Sequence, residues 1–479
     1  MQISEDYFNN DEFKRNLKSY EESVKSGRPI FMDVDDLADI LDYYNFNQRK
    51  DKADEVAEYF LSIYPGATAP IVYKTRKALD NDDFVLAEEL VEQVADTSDP
   101  DYLYLKAEIK IAAKDYSKAQ EILLDGFNHV EAEESESFIL DAANLYCDYE
   151  VYDWALHWLE WAKNKHTSDF QSMYLKSLVG TQQFKKAKDF AEEEIDRQPY
   201  DFQLWNYLST IQYLMMDFNE AITSCEYSLA IAPDNPSGLW SKALVYIALE
   251  NFEAALECLR RYNRDFPGKY PCLLAMANCF FKLGNSDSGM QMIEKAEALH
   301  QPPMYTETVT YEELANELLD IKQYGKALLY ARYAISTRYP EDPSSLYVIE
   351  ANALLGLHRE EEGRESILKA EKDPSVPAEI KCKIIYLMYQ RGNFEEAYAR
   401  FQQYKADGFK VLSPIVPIMS LCCMVLGKEE STELFDLASN ACPDFLRDVM
   451  REHFNEDLSL NGYRRRIIEE TNRNRNEKK

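Results

Sequence analysis

The sequence predicts an all-α chain, an α-α superhelix or solenoid of about twelve helix-turn-helix repeats of ~34 residues with helical caps. Three observations predict it. Within residues 201–267 two blocks superpose at a spacing of 34 with no gap, so that Asp217-Phe218-Asn219-Glu220-Ala221-Ile222 falls on Asn251-Phe252-Glu253-Ala254-Ala255-Leu256 and Pro233 on Pro267. In the same register a small residue recurs twelve times, at Ala53, Ala87, Ala119, Ala155, Ala187, Ala221, Ala255, Gly289, Ala327, Gly363, Ala397 and Ser431, with steps of 32 to 38 residues. Only 15 Gly and 18 Pro punctuate 479 residues, fewer than a β-sandwich or a Gly-loop enzyme of this size needs.

In chain order, residues 1–33 lie outside the register and predict one N-terminal capping helix over residues 12–24, stopped by Ser26-Gly27-Arg28-Pro29. A stacked array needs such an element to cover its first apolar face. Residues 34–302 hold repeats 1–8. The small column marks where the second helix of each repeat presses on the first, and Ala107, Ala143, Ala243, Ala277, Ala315 and Ala351 supply the matching small residue on first helices.

Three residues before the small column an aromatic stands in eight repeats, Phe84, Tyr116, Tyr152, Phe184, Phe218, Phe252, Tyr324 and Phe394, where a ring can fill the space between the two helices of a hairpin. Some twelve residues after it stand Pro65, Pro100, Pro199, Pro233, Pro267, Pro302, Pro340, Pro374 and Pro443, expected to end second helices for want of an N–H. Residues 299–310, with Gln301-Pro302-Pro303, form the least regular junction, either a hinge or a longer turn inside one continuous solenoid. Repeats 9–12 occupy residues 303–445, a C-terminal capping helix 446–470, and a disordered tail 471–479. The apolar run 415–426 is too short to cross a bilayer and reads as a buried helix.

Lys plus Arg number 53 and Asp plus Glu 85, a formal charge of -32, which repels phosphate backbones and anionic headgroups; neither nucleic acid nor membrane is an expected partner. Nine cysteines without a C-x-x-C pair read as buried small residues in a reducing compartment, and the acidic start, unlike a secretory leader, predicts a cytoplasmic location.

Six histidines, at 129, 157, 166, 300, 358 and 453, have no ligand spacing, and the zinc-protease, phosphate-loop and dinucleotide signatures are absent, so no metal or other cofactor and no catalytic residue is expected. Asp80-Asn81-Asp82-Asp83-Phe84 begins like a calcium loop but lacks the Gly at the sixth place, and reads as a turn. Glu192-Glu193-Glu194 and Glu360-Glu361-Glu362 read as solvated faces. Trp154, Trp158 and Trp161 stripe one helix, expected to pack on the following repeat. Arg464-Arg465-Arg466 with Arg473, Arg475, Lys478 and Lys479 is the one basic concentration, read as solubilising.

Trp205-x2-Leu208-Ser209-x2-Gln212, Ala221-x3-Cys225 and Pro233 resemble the tetratricopeptide (TPR) pattern W-x2-L-G-x2-Y, A-x3-F and P, with Ser209, Gln212 and Cys225 departing from it. The resemblance implies a right-handed superhelix whose first helices line a concave groove, and a non-catalytic scaffold or adaptor that binds a protein or peptide segment there. The implied partner-binding residues are Asn144, Gln203, Asn206, Tyr213, Trp240, Asn278, Phe281, Lys282, Asn316 and Asn352. Four of them are Asn at one equivalent position, able to donate to and accept from a peptide backbone. The Lys-x3-Asn clamp by which TPR cochaperones hold a C-terminal carboxylate is missing from the first helices. The acidity favours a segment with basic residues. Alternative readings are a substrate-recruiting accessory subunit of an enzyme, or a peptide-sensing regulator acting through a DNA-binding partner; oligomeric state is open.

Overall fold

The computed structural model describes residues 8, 10–26, 31–47, 49–97, 100–299, 311–337, 342–372, 376–408 and 414–477. These form helices and, among the described residues, no strand. They fall into two compact units, Met1–Ala232 and Pro233–Lys479. The first contains α1 (Asp11–Ser26), α2 (Val34–Phe46), α3 (Lys50–Ile63), α4 (Thr68–Leu79), α5 (Phe84–Val91), α6 (Pro100–Ala112), α7 (Tyr116–Phe127), α8 (Ser135–Asp148), α9 (Tyr152–Leu159), α10 (Ser168–Gly180), α11 (Phe184–Arg197), α12 (Phe202–Leu214) and α13 (Phe218–Ile231). The second contains α14 (Pro236–Ala248), α15 (Phe252–Asp265), α16 (Tyr270–Lys282), α17 (Ser286–Glu297), α18 (Tyr311–Asp320), α19 (Tyr324–Thr337), α20 (Ser344–Gly356), α21 (Glu360–Ala370), α22 (Ala378–Gln390), α23 (Phe394–Ala406), α24 (Ile415–Val425), α25 (Glu430–Ala441), α26 (Pro443–Phe454) and α27 (Leu460–Glu477). From α2 to α25 the helices pair as twelve hairpins, six in each unit, with an even-numbered first helix and an odd-numbered second.

One turn closes every hairpin. The N–H at the entry to the second helix bonds to the carbonyl five residues earlier, as in Asp83 to Ala78, Val151 to Tyr146, Asn285 to Phe280 and Arg359 to Leu354, at 2.9–3.0 Å. The residue between them is left-handed: Asp82, Lys114, Glu150, Gln182, Met216, Glu250, Gly284, Lys322, His358, Gly392 and Gly427 all have positive φ. This is the left-handed C-cap that satisfies the last carbonyls of a helix. The next residue caps the second helix: the side chains of Asp83, Asp115, Asn251 and Asn285 accept from the N–H three residues on. Asp80–Asp83 is thus such a turn.

The seam inside each hairpin is the small column. All twelve members are buried on second helices, and the six first-helix alanines are buried too. Two glycines are there by necessity, since a Cβ on Gly289 would sit 2.5 Å from Phe281 Cε1 and one on Gly363 2.9 Å from Leu355 Cδ2. The aromatic column supplies the first residue of its second helix in all eight cases. Its packing is mixed. Phe218 and Phe394 meet Tyr213 and Tyr389 of their own hairpins at 5.9 Å. Tyr152 and Tyr324 instead press on the next hairpin, where Gly180 and Gly356 leave room for their rings. The proline column also divides. Pro65, Pro199, Pro233 and Pro267 follow second helices, whereas Pro100 and Pro443 open α6 and α26, a first-turn position that needs no N–H. Pro302, Pro340 and Pro374 lie outside the described residues, as do Gly27-Arg28-Pro29 and the 300–310 part of the irregular junction.

At the N-terminal end α1 buries Phe13 and Tyr20 with Leu37, Ile40 and Phe60 of the first hairpin, and Asn16 donates to Asp36 at 2.6 Å. At the other end the expectation of one capping helix and a disordered tail from 471 is corrected. Two helices, α26 and α27, follow the last hairpin, and α27 runs to Glu477. Leu446, Met450, Tyr463 and Ile467 are fully buried in the core of the second unit, each such burial contributing about 1.5–3 kcal/mol. Thr471 Oγ1 meets Ser431 Oγ at 2.8 Å and Asn474 Nδ2 donates to Met424 O at 3.0 Å, so this end is docked. Lys478 and Lys479 lie outside the described residues. Residues 415–424 are buried throughout, as expected of the apolar run, and among the described residues no helix is long and apolar enough to cross a membrane.

Candidate functional site

Successive first helices touch one another from α2 to α10 in the first unit and from α16 to α24 in the second, as well as touching their hairpin partners, so that a face of first helices runs along each of these stretches. Side chains bridge this face from one hairpin to the next. In the first unit Arg76 pairs with Glu108 at 3.1 Å, Tyr149 also donates to Glu108, and Ser172 meets Tyr207 at 2.6 Å. In the second, Asn278 donates to Glu313 at 3.1 Å, Lys282 pairs with Glu317 at 2.6 Å, Ser345 donates to Glu312 at 3.1 Å and Arg391 donates to Asn352 Oδ1 at 2.7 Å.

All ten sequence-predicted residues lie on first helices, four in the first unit and six in the second. They do not share one situation. Asn144 is exposed and donates to Asp148. Gln203 is exposed, Asn206 accepts from Ser228 Oγ at 2.7 Å, and Tyr213 lies half-buried against Phe218. Trp240 is half-buried against Tyr262, its ring centroid 5.7 Å away, and Asn316 is exposed. Asn278 is 1% exposed and Phe281 6%, so neither presents its side chain to a ligand. Phe281 turns inward because Gly289 makes room for it, and the Asn278 carboxamide is spent on Glu313, with its Oδ1 left unpartnered.

Other expectations resolve similarly. The Trp stripe, expected to pack on the following repeat, makes its contacts instead with its own hairpin and the preceding one: Trp158 is fully buried and donates to Gln120 Oε1 of α7 at 2.8 Å, Trp154 stacks on Tyr146 of α8, and Trp161 is 40% exposed against Phe127 of α7 and Trp158. Glu194 corrects the solvated-face reading of its run. It is 1% exposed, because helical periodicity puts it on the stripe of Ala191 and Ile195, and there it receives Gln171 Nε2 at 2.6 Å, His166 Nδ1 at 2.9 Å and Arg197 Nε at 3.4 Å. The basic cluster folds onto its own unit: Arg464 forks onto Asp436 at 2.6 and 2.7 Å, and Arg475 meets Glu429 at 2.6 Å. All nine cysteines are unbonded, and burial pushes the thiols of Cys272, Cys279, Cys422 and Cys423 up to about 12, well away from nucleophilic use. Among the described residues no group of three or more His, Cys, Asp or Glu side chains could hold a metal ion.

The sequence missed a cleft of about 450 Å³ in the first unit, lined by Glu192, Ile195 and Asp196 of α11, Trp205, Leu208 and Gln212 of α12, and Glu220, Thr223 and Ser224 of α13. No periodic column marks it, since its walls come from three helices at different phases. It also missed the acidity of α18, whose ten residues carry Glu312, Glu313, Glu317 and Asp320. Burial, then the neighbouring Glu317 carboxylate, hold the Asp320 carboxyl above the usual carboxylate range.

Antiparallel helical hairpins closed by one turn, seamed by small residues and stacked through their first helices define a tetratricopeptide-type helical repeat fold. Residues 215–296 match the family described as anaphase-promoting complex, cyclosome, subunit 3. A search of curated proteins finds no match. Among solved structures the chain is similar to a tetratricopeptide repeat protein from Parabacteroides merdae ATCC 43184, at 18% identity over 53% of this chain and 97% of that one, TM-score 0.38. It is also similar to a chain of the APC/C hetero-tetramer Cut9-Hcn1, at 13% identity over 85% of this chain and 98% of that one, TM-score 0.40. A third is pilF of Pseudomonas aeruginosa, at 16% identity over 44% and 93%, TM-score 0.35.

Proposed function

We propose that the protein is a non-catalytic interaction scaffold whose first-helix face in the second unit docks a protein segment bearing basic residues. The observation that carries the reading is the bridged face itself. Asn278–Glu313, Lys282–Glu317 and Ser345–Glu312 fix α16, α18 and α20 to one another, so the exposed Asn316 among them is held in place before a ligand arrives, while the half-exposed Trp240 on the preceding hairpin is set by its packing on Tyr262. Preorganisation of this kind lowers the ordering cost of binding an extended segment. The charge sets the preference. Lys282 is set against Glu317, Glu313 and Asp320 of α18, and a cationic segment would relieve the Glu317 repulsion that adds to burial in raising Asp320.

The test is a cross-linked pull-down from native lysate with the intact chain and a Trp240→Ala, Asn316→Ala variant of unchanged helical circular dichroism. Loss of a specific partner from the variant, with weakened capture at high salt, supports the reading. Capture that is equal in both chains overturns it.

A further inference from the structure

We infer that the α11–α12–α13 cleft of the first unit is a second binding site, and that it takes an arginine side chain from an extended segment of a partner protein. Three independent features of the cleft converge on that chemistry. Its rim is anionic and under-neutralised: Glu192, Asp196 and Glu220 line it, and no Lys, Arg or His does among the described residues. Lys188 reaches Glu192 and Glu220 only at 4.0 and 3.8 Å, and shares itself with Asp217 at 4.0 Å.

Its wall is aromatic. The Trp205 indole is fixed by a 3.0 Å bond from Nε1 to Pro199 O and by stacking on Tyr227, with ring centroids 4.5 Å apart and planes 26° apart. A guanidinium laid on a fixed indole gains cation–π attraction, and its planar fork suits carboxylates better than an ammonium does. Ile195 and Leu208 supply an apolar lining for the methylene stem.

Its floor holds a donor without a partner. Gln212 is 5% exposed and its Oε1 accepts from Ser224 Oγ at 2.7 Å, while its Nε2 has no hydrogen-bond partner among the described residues. With Oε1 engaged by Ser224, the Gln212 amide N–H on the cleft is available to donate to the backbone carbonyl of an extended segment. The volume of about 450 Å³ lies in the range of specific small-ligand pockets and accommodates one side chain with its flanking backbone. This site does not depend on the first-helix face of the second unit, and the two can fail separately.

The experiment uses the full chain with ¹⁵N-labelled tryptophan, the Trp205 indole N–H resonance being assigned by Trp205→Phe. The probes are acetyl-Gly-Gly-Arg-Gly-Gly-amide, the same peptide with citrulline, and the same with lysine. The arginine peptide should shift the Trp205 resonance in a saturable, salt-sensitive way, the lysine peptide should bind more weakly, and citrulline should leave it unmoved. An Asp196→Asn, Glu220→Gln variant, which changes only exposed isosteric groups, should weaken the arginine peptide about tenfold or more. The Trp240→Ala, Asn316→Ala variant should bind it unchanged. An unmoved Trp205 resonance at millimolar arginine peptide, an equal response to citrulline, or unaltered affinity in the Asp196→Asn, Glu220→Gln variant would each overturn the assignment.

Discussion

In the first unit the described left-handed turn residues are Asp82, Lys114, Glu150, Gln182 and Met216, and the seam residue is alanine in all six hairpins; in the second, three of six turns and two of six seams use glycine. An L-residue in the left-handed region costs about 1–2 kcal/mol. The first unit accepts that cost five times, because the turn's main-chain bond and the buried seam over-determine the conformation. The second unit removes part of it with Gly284, Gly392 and Gly427, and uses Gly289 and Gly363 for a different purpose, to admit the Phe281 and Leu355 side chains. Glycine therefore marks two unrelated demands in one repeat, backbone freedom at the turn and volume at the seam.

Substitution at the seam should have the largest effect. Gly289→Ala forces a Cβ to 2.5 Å from Phe281 Cε1 and should cost about 1–3 kcal/mol. Adding Phe281→Ile, the side chain found at the equivalent Ile247 beside Ala255, should recover most of it in a double-mutant cycle read by urea denaturation and hydrogen exchange in α16 and α17. A neutral Gly289→Ala would show that the ring does not dictate the glycine. Turn substitutions come next: Met216→Gly should stabilise by about 0.5–1 kcal/mol, and Gly284→Ala should destabilise by about 1 kcal/mol. Two changes of the same sign would mean that side-chain contacts, and not φ, decide the turn.

The third contrast is electrostatic. Because Asp320 is raised in the free protein and a cationic segment favours its ionised form, affinity for that segment should be full above the raised value and fall a few-fold as pH drops through it. Isothermal titration across that window measures it, and pH-independent affinity would remove α18 from the interface. Smallest is Arg464→Ala. The Arg464 guanidinium holds the Asp436 carboxyl below the usual range, but the pair is 42% and 45% exposed and screened by solvent, so thermal or urea denaturation should register only a small loss. A loss several times larger would mean that α27 is docked by charge and not by Tyr463 and Ile467.

The seam was legible in the sequence because helix spacing leaves one admissible volume at each of its positions, and twelve hairpins repeat the constraint. The turn was not. Its left-handed position reads Asp, Lys, Glu, Gln, Met, Glu, Gly, Lys, His, Gly and Gly, a column without shared chemistry, since the requirement falls on the main chain. The face was legible as to helix but not as to availability. Asn144, Asn278, Asn316 and Asn352 occupy one column, yet Asn144 is tied to its own helix, Asn278 is buried under Glu313 and Asn352 is bonded by Arg391. Those partners, where they come from a neighbouring hairpin, stand 35 and 39 residues away, beyond any local pattern. The stretch after 470 was misread for the same reason: its charged composition reads as a solvated tail, while Thr471 and Asn474 find their partners in the last hairpin.

The main-chain closure of the turn has an evolutionary consequence. A hairpin that closes without a particular side chain can be duplicated, diverge and be reassigned to a new ligand while its gene keeps no recognisable word at the turn. Selection there acts by exclusion: descendants of this chain should vary freely at positions such as Lys114, Glu150 and Met216, yet not acquire proline or a β-branched residue, which the left-handed conformation will not accept.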